Sequence, residues 1–374
     1  MKVLELFGEP ISNGGQESFV INVLKHIRDD EIKVDFLTPY FCDNQAYAKI
    51  VQDRGGQVFS LNLPFLPGKS RFNIKKPLKK FFNSNHYDVV HIHSGSISIL
   101  AVAAYVARKC KINRVIVHSH CAAERKTFKY RITKFVSLPF MKLYPTDYCA
   151  CSRIAGEWKF SKNIVKKKLV ILKNGVDLED FAFNGDKRNL IREKLNISSD
   201  TLVLGHVGRF SYQKNHEYLL KVFKELKNRH INSKLMLIGS GELLNEVKGQ
   251  AKNDNILNDI IFVGNVNNVH DYMQAFDVFA LPSRFEGLPI VGVEAQASGL
   301  PCVFSIAVTD ETMLTDKVKF LPVNETSVSV WVDSILELYG TERKDNSEVL
   351  REKGFDINQT ADTVVAIYKK ANLN

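Results

Sequence analysis

The chain is 374 residues long, enough for about two domains that each bury a core of their own. A hydrophobic content of 45% with 25% charged residues fits a soluble globular protein and excludes a disordered or fibrous chain, and no apolar run reaches the length that spans a bilayer. The net charge of +10 calls for an acidic partner (a nucleotide, a phospholipid surface or a nucleic acid), and six cysteines scattered without metal-ligand spacing read as buried free thiols.

Residues 3–7 read as a first strand. The apolar run of MKVLELFGEP is short and stops at Gly8, Glu9 and Pro10, the pattern of a strand and not of a signal peptide, so a cytoplasmic location is expected. Gly14 and Gly15 follow, and then Phe19, Val20, Val23, Leu24 and Ile27 recur at helical spacing. A glycine pair opening a helix lets a ligand approach the backbone and points N–H groups at it, although the same pair makes a plain turn and no G-x-G-x-x-G is present. Strand and helix then alternate through residues 34–38, 47–53 and 58–63, with further strands at 88–93, 115–120 and 147–152. That order predicts a doubly wound parallel sheet, whose ligands bind beyond the carboxyl ends of the strands. His91, His93, His118 and His120 fall at such ends. Each H-x-H pair turns two rings to one side of a strand, too few ligands for a metal, and no carboxylate cluster accompanies them; no metal is expected.

Two segments of this half are basic without a single acid. Residues 65–87 carry Lys69, Arg71, Lys75, Lys76, Lys79 and Lys80 among Phe72, Ile74, Leu78, Phe81 and Phe82. Residues 125–146 carry Arg125, Lys126, Lys129, Arg131, Lys134 and Lys142 beside Phe128, Tyr130, Ile132, Phe135 and Phe140. The pattern suits an ordinary amphipathic helix with a solvated face, or docking on an anionic membrane, where each surface cation contributes roughly 1 kcal/mol. Nucleic acid is not expected, since no recognised binding module accompanies the charge.

Lys173-Asn174-Gly175-Val176-Asp177 holds an Asn-Gly turn, after which a polar stretch around Asn184 to Arg188 separates two runs of alternation. A strand at 202–207 leads into Gly208-Arg209-Phe210-Ser211-Tyr212-Gln213-Lys214, followed by a helix through Leu219, Leu220, Val222, Phe223 and Leu226. Arg209 and Lys214 thus flank one strand-to-helix loop. Two fixed cations beside a helix N-terminus can neutralise a leaving diphosphate without a metal, though such a loop pair is equally at home in solvent. Strands follow at 235–239 and 260–264, the second ending Phe262-Val263-Gly264-Asn265.

Residues 277–281 form a further strand, broken at Pro282 and Ser283 and followed by Glu286-Gly287-Leu288-Pro289, a helix to Ser298-Gly299 and a strand at 302–305. Glu286 therefore lies in a loop and Glu294 about two turns along the helix. The amides from Gly287 onward sit at a helix N-terminus suited to an anion or to hydroxyl groups. A strand at 318–321, a helix at 328–339 and an amphipathic helix at 361–371 complete the chain.

The stretch E-G-L-P-I-V-G-V-E, followed by A-Q-A-S-G-L-P-C-V, resembles the E-x7-E signature of retaining glycosyltransferases of family GT4. G-R-x4-K, the Gly-Gly loop, the histidine-ended strand and N-G-V-D resemble that family's other hallmarks in its order, with Lys173 where proline is usual. The resemblance implies an α/β GT-B fold: two Rossmann-like doubly wound domains facing a central cleft, residues 1–174 on the acceptor side with a C-terminal helix of about 356–374 packing back, and residues 175–355 binding the donor. It implies that Gly208, Arg209 and Lys214 hold the donor diphosphate, with Gly14 and Gly15 contributing amides. The turn at Val263 would read the base, Glu294 the ribose, and Glu286 with the Gly287 and Leu288 amides the sugar hydroxyls. His120 would sit near the reacting sugar, a place that His118 could equally take.

The expected activity is metal-independent hexosyl transfer, with retention, from a nucleotide diphosphate-sugar to an acceptor hydroxyl. UDP is favoured as the nucleotide, and no cofactor is needed. The acceptor is expected to be a lipid-linked glycan of bacterial capsule, exopolysaccharide or cell-wall synthesis, reached at the inner face of the plasma membrane. A GT-B sugar-nucleotide 2-epimerase and a non-catalytic nucleotide-sugar-binding partner subunit are the alternatives; intact Arg209, Lys214, Glu286 and Glu294 speak against the latter.

Overall fold

The computed structural model describes residues 1–12, 14–66, 72–120 and 127–370. The chain divides into two compact units, Met1–Gly175 with Ile357–Asn374, and Val176–Asp356. No helix among the described residues is long and apolar enough to cross a membrane.

The first unit is built on seven parallel strands: β1 (Lys2–Phe7), β2 (Lys33–Thr38), β3 (Val58–Ser60), β4 (Val89–His93), β5 (Arg114–Ser119), β6 (Asp147–Ala150) and β7 (Leu169–Ile171). Their order in the sheet is β3-β2-β1-β4-β5-β6-β7. A parallel sheet is covered on both faces, so its strands are apolar in both registers. Leu4, Leu6, Val90, Ile92, Val115 and Val117 pack under the Ile97–Lys109 helix, whose alanines allow a close approach. Val3, Phe7, Val89 and Ile116 face the helices Gly15–His26 and Ile357–Lys369. The Ile357–Lys369 helix is held by buried Ala361, Val364 and Tyr368, by an Arg28 to Asn358 hydrogen bond of 2.8 Å and by a Lys369–Asp29 ion pair of 2.5 Å.

The second unit has six parallel strands: β8 (Leu202–Val207), β9 (Ser233–Ile238), β10 (Ile260–Gly264), β11 (Val278–Leu281), β12 (Cys302–Ser305) and β13 (Val318–Leu321). They are ordered β10-β9-β8-β11-β12-β13. Leu202, Leu204, Leu235, Leu237 and Val278 pack against the His216–Asn228 and Val328–Leu338 helices, and Val203, Met236, Phe279 and Phe304 line the opposite core.

Several boundaries depart from expectation. The strand expected at 58–63 ends at Ser60, that at 115–120 ends at Ser119, and that at 147–152 ends at Ala150. Ser152 instead caps the next helix, its Oγ accepting from the Ala155 amide at 3.2 Å. The polar stretch after Asn184 is itself a helix, Gly185–Lys194, capped by the Asn184 side chain. Its arginines hide the helical signal because they point inward: Arg188 and Arg192 both bind the Asp277 carboxylate and carbonyls of residues 274–276. Cys149, Cys151 and Cys302 are buried as expected, whereas Cys42 and Cys110 are only half-buried, and Cys121 lies outside the described residues.

Both sheets reverse their order at one place, between β1 and β4 in the first unit and between β8 and β11 in the second. There adjacent strands send their following loops in opposite directions, which opens a crevice at the carboxyl edge.

Candidate functional site

In the second unit the crevice lies between residues 208–215 after β8 and residues 282–289 after β11. Three hydrogen bonds tie the two loops: Arg284 N to Gln213 O at 2.8 Å, Gln213 Nε2 to Phe285 O at 3.1 Å and Asn215 Nδ2 to Pro282 O at 3.1 Å. Asn215 adopts φ 57°, a left-handed conformation that asparagine tolerates, and it turns the chain into the His216–Asn228 helix.

Lys214 and Glu286 meet across this crevice, Nζ to Oε1 at 2.7 Å, with side chains only 14% and 10% exposed. Ser283 Oγ donates to the same carboxylate oxygen at 3.2 Å. The loop carrying Glu286 is anchored by its own amide, which donates to Ala307 O at 3.1 Å. Arg209 behaves differently: its side chain is 74% exposed and pairs with Glu242, Nε to Oε2 at 3.1 Å. Gly208 is hemmed in, since a Cβ there would lie 3.1 Å from the Lys214 chain, and Gly239 (φ 133°) comes so close that a Cβ on it would lie 2.2 Å from Gly208 O. That contact holds the β8 loop against β9.

Glu294 lies on the Ile290–Ala297 helix, half-buried, and among the described residues its carboxylate makes no hydrogen bond. Burial pushes its pKa up to about 7, an effect that the positive charge of Lys214 partly offsets. A half-buried carboxylate within reach of a lysine's charge and without a hydrogen bond can accept from hydroxyl groups. The amides of Gly287 and Leu288 donate to no backbone group among the described residues, and a Cβ on Gly287 would meet nothing within 4 Å. Val263 lies half-buried in β10, next to Gly264 at φ 81°. His206 and His216, which sequence reasoning passed over, lie buried beneath this loop. Burial and the Lys214 charge lower the His216 pKa to about 4, so it stays neutral as it stacks 4.1 Å from Phe210.

In the first unit Gly14 precedes the Gly15–His26 helix, and a Cβ on Gly14 would lie 2.2 Å from Glu17 Oε2. The helix start is therefore already covered by the chain's own carboxylate, whose pKa burial raises. A Cβ on Gly15 would meet nothing within 4 Å among the described residues. His120 stands just beyond β5, half-buried, with Nε2 2.8 Å from His93 Nδ1. His118 is fully buried, edge-on to Phe19 at 5.0 Å between ring centroids, and neither ring nitrogen has a hydrogen-bond partner among the described residues.

The structure corrects the reading that the histidine pairs stand alone without a carboxylate. Register places Glu5 opposite His91 and His93 opposite His118, so both pairs share one face, and Glu5 Oε2 lies 2.5 Å from His93 Nε2. Alternation along one strand says nothing about its neighbour, and a lone Glu5 in an apolar strand carried no signal.

The basic segments also separate. In the Lys75–Ser84 helix Leu78 and Phe82 are buried, an ordinary amphipathic arrangement with its lysines outward. The Phe128–Leu143 helix exposes Phe128 (78%), Ile132, Phe135 (80%), Val136 and Leu143. Lys134 is committed to the carbonyls of Glu157 and Trp158. Lys69, Arg71, Arg125 and Lys126 lie outside the described residues.

Comparison with known proteins gives two family matches: glycosyltransferase family 4 over residues 13–180 and glycosyl transferases group 1 over residues 187–354. The EpsF protein of Bacillus subtilis, named as a glycosyltransferase, is 32% identical over 368 residues, 96% of this chain and 94% of that one. An Escherichia coli protein named UDP-Gal:alpha-D-GlcNAc-diphosphoundecaprenol alpha-1,3-galactosyltransferase is 31% identical over 242 residues, 63% of this chain and 61% of that one. Among solved structures, HepE of Anabaena in complex with UDP matches with a TM-score of 0.78 at 18% identity, over 99% of this chain and 100% of that one, which establishes the GT-B fold.

Proposed function

The chain belongs to the family 4 glycosyltransferases, and we propose that it moves a hexosyl group, with retention and without a metal at the diphosphate, from a UDP-sugar to a hydroxyl of a lipid-linked glycan. The strongest support is the convergence of Lys214, Glu286 and Glu294 at the switch point of the second sheet. UDP and the lipid-linked acceptor are favoured by the name of the Escherichia coli relative.

In this reading Arg209 and Lys214 meet the diphosphate as the anomeric C–O bond breaks, and the charge they neutralise is the charge that develops on the leaving oxygen. That oxygen takes the proton of the acceptor hydroxyl as the new glycosidic bond forms on the same face. Glu286, steadied by Ser283, and the amides of Gly287 and Leu288 hold the sugar hydroxyls. Glu294 accepts from the ribose, and the backbone around Val263 meets the base. Gly14 and Gly15 contribute amides to donor binding, and His120 serves near the reacting sugar; His120 is favoured over His118 because it is only half-buried. The test is nucleoside diphosphate release from UDP-, GDP-, ADP- and dTDP-sugars, with and without membrane lipid. Release from one donor, accelerated by lipid, is expected, whereas binding without release from any donor would leave a partner subunit instead.

The exposed apolar face of the Phe128–Leu143 helix, with exposed Lys129, Arg131 and Lys142 on the same helix, fits an anionic bilayer at the cytoplasmic side. Phe128→Ser with Phe135→Ser is expected to weaken sedimentation with phosphatidylglycerol vesicles at least about tenfold, since each buried ring contributes about 1.5–3 kcal/mol. Unchanged binding by the double variant would rule this helix out.

A further inference from the structure

Strand register in the first unit gathers chemistry that sugar transfer does not use. Glu5, His91, His93 and His118 lie on one face of three adjacent parallel strands. His91, His93 and His118 are buried, and each offers a ring nitrogen within 4.8 Å of those of the other two. Existing partners decide which nitrogens are open. Glu5 Oε2 engages His93 Nε2 at 2.5 Å and approaches His91 Nδ1 at 3.4 Å, and that Nδ1 is also 3.0 Å from the Tyr368 hydroxyl. Tyr368 in turn donates to Glu5 Oε1, so the carboxylate is held from both sides. Among the described residues His91 Nε2 is left without a partner, as are both nitrogens of His118, and His93 Nδ1 faces His120 Nε2 at 2.8 Å. Unpaired buried imidazole nitrogens are costly unless something binds them.

We propose that His91 Nε2, His93 Nδ1 and a ring nitrogen of His118 bind one divalent transition-metal ion of the zinc class, with His120 at the fourth position. Imidazole nitrogen is the ligand type such ions take in proteins. Glu5 completes the usual outer arrangement, in which a carboxylate holds the far nitrogen of a ligating histidine and so fixes its tautomer and direction. Ligating imidazoles must be neutral, and a ring buried as His91, His93 and His118 are favours its neutral form. Phe7 packs on His93, and Phe19 packs on His118 and His120. Metal–nitrogen bonds of about 2.0–2.1 Å need ligand atoms about 3.4 Å apart, so on binding the rings of His91, His93 and His118, whose nitrogens lie within 4.8 Å of one another, close by up to about 1.4 Å, while His93 Nδ1 and His120 Nε2, now 2.8 Å apart, separate slightly. The ion would tie β1, β4 and β5 together and fix the direction of His120. Its ligands all belong to the first unit, and of them only His120 also has a part in the proposed transfer.

The full chain, stripped with a chelator, is to be titrated with cobalt(II), whose visible absorption reports coordination geometry. One saturable equivalent is expected, with the intense absorption of a four-coordinate nitrogen site, displaced by zinc. Glu5→Gln is expected to weaken it about 10–100-fold, and His91→Gln and His118→Asn more. His86→Asn, at an exposed histidine, is expected to leave uptake unchanged. Should the core variants fail to fold, the unmodified chain still decides: no saturable uptake, or only the weak absorption of a six-coordinate ion, overturns the site. So does full uptake by folded His91→Gln and His118→Asn.

Discussion

Arg209→Ala is expected to lower kcat for sugar transfer by about a hundred- to a thousand-fold, the usual loss when one preorganised donor to a developing anion is removed. Thermal stability should barely change. The Arg209 side chain is 74% exposed and its pair with Glu242 is a surface one, worth at most about 1 kcal/mol. That separation makes Arg209 the clean probe of the diphosphate role. Lys214→Ala is expected to lose activity too, but it also strands the Glu286 carboxylate, whose side chain is 10% exposed, at a cost of about 3 kcal/mol. Glu242→Gln frees Arg209 from its carboxylate and should leave turnover intact. Full turnover by Arg209→Ala, measured beside an unchanged melting curve, would remove Arg209 from the mechanism.

Glu294→Gln is expected to stabilise the ligand-free protein at pH 8 while weakening donor binding. Burial lifts the folded-state pKa of Glu294 to about 7 from 4.5, so between those values the folded chain holds a proton that the unfolded chain has lost. Stability therefore falls as pH rises through that window, and above about 7 the whole penalty is present, about 2–3 kcal/mol after allowing for partial exposure. Glutamine carries no charge to bury; the variant should match the parent near pH 4 and exceed it at pH 8. The donor sees the opposite. If the ribose needs the carboxylate, the KM of the parent rises below pH 7, approaching tenfold per unit, and the variant shows a high, flat KM. Denaturant unfolding and donor KM, both across pH 4 to 8, check the two halves, and a parent KM independent of pH would sink the ribose role.

Much of this molecule was legible in one dimension. The α/β fold class followed from apolar runs of strand length alternating with helical periods, because a parallel sheet buried on both faces leaves that signature in each strand. Strand ends were less legible. Ser119 ends β5 and Ser152 caps a helix because of hydrogen bonds that no run of residues displays. The helix Gly185–Lys194 was missed since its buried contacts are arginine to carbonyl and carboxylate, which read as polar surface.

The candidate site divides in the same way. Spacing alone assigned Arg209, Lys214 and Glu286 to loops after two strands and Glu294 to the helix that follows the second, since turn residues and a helical period are local properties. Only the tertiary structure decided that Lys214 and Glu286 touch, that Arg209 faces solvent beside Glu242, and that Glu294 is dry enough to hold its proton near neutrality. The Glu5 and histidine cluster belongs wholly to that second kind. Which residue stands opposite which depends on register between strands far apart in the chain, Glu5 and His91 being 86 positions apart (91 − 5), and period-two alternation within a strand carries no information about its neighbour.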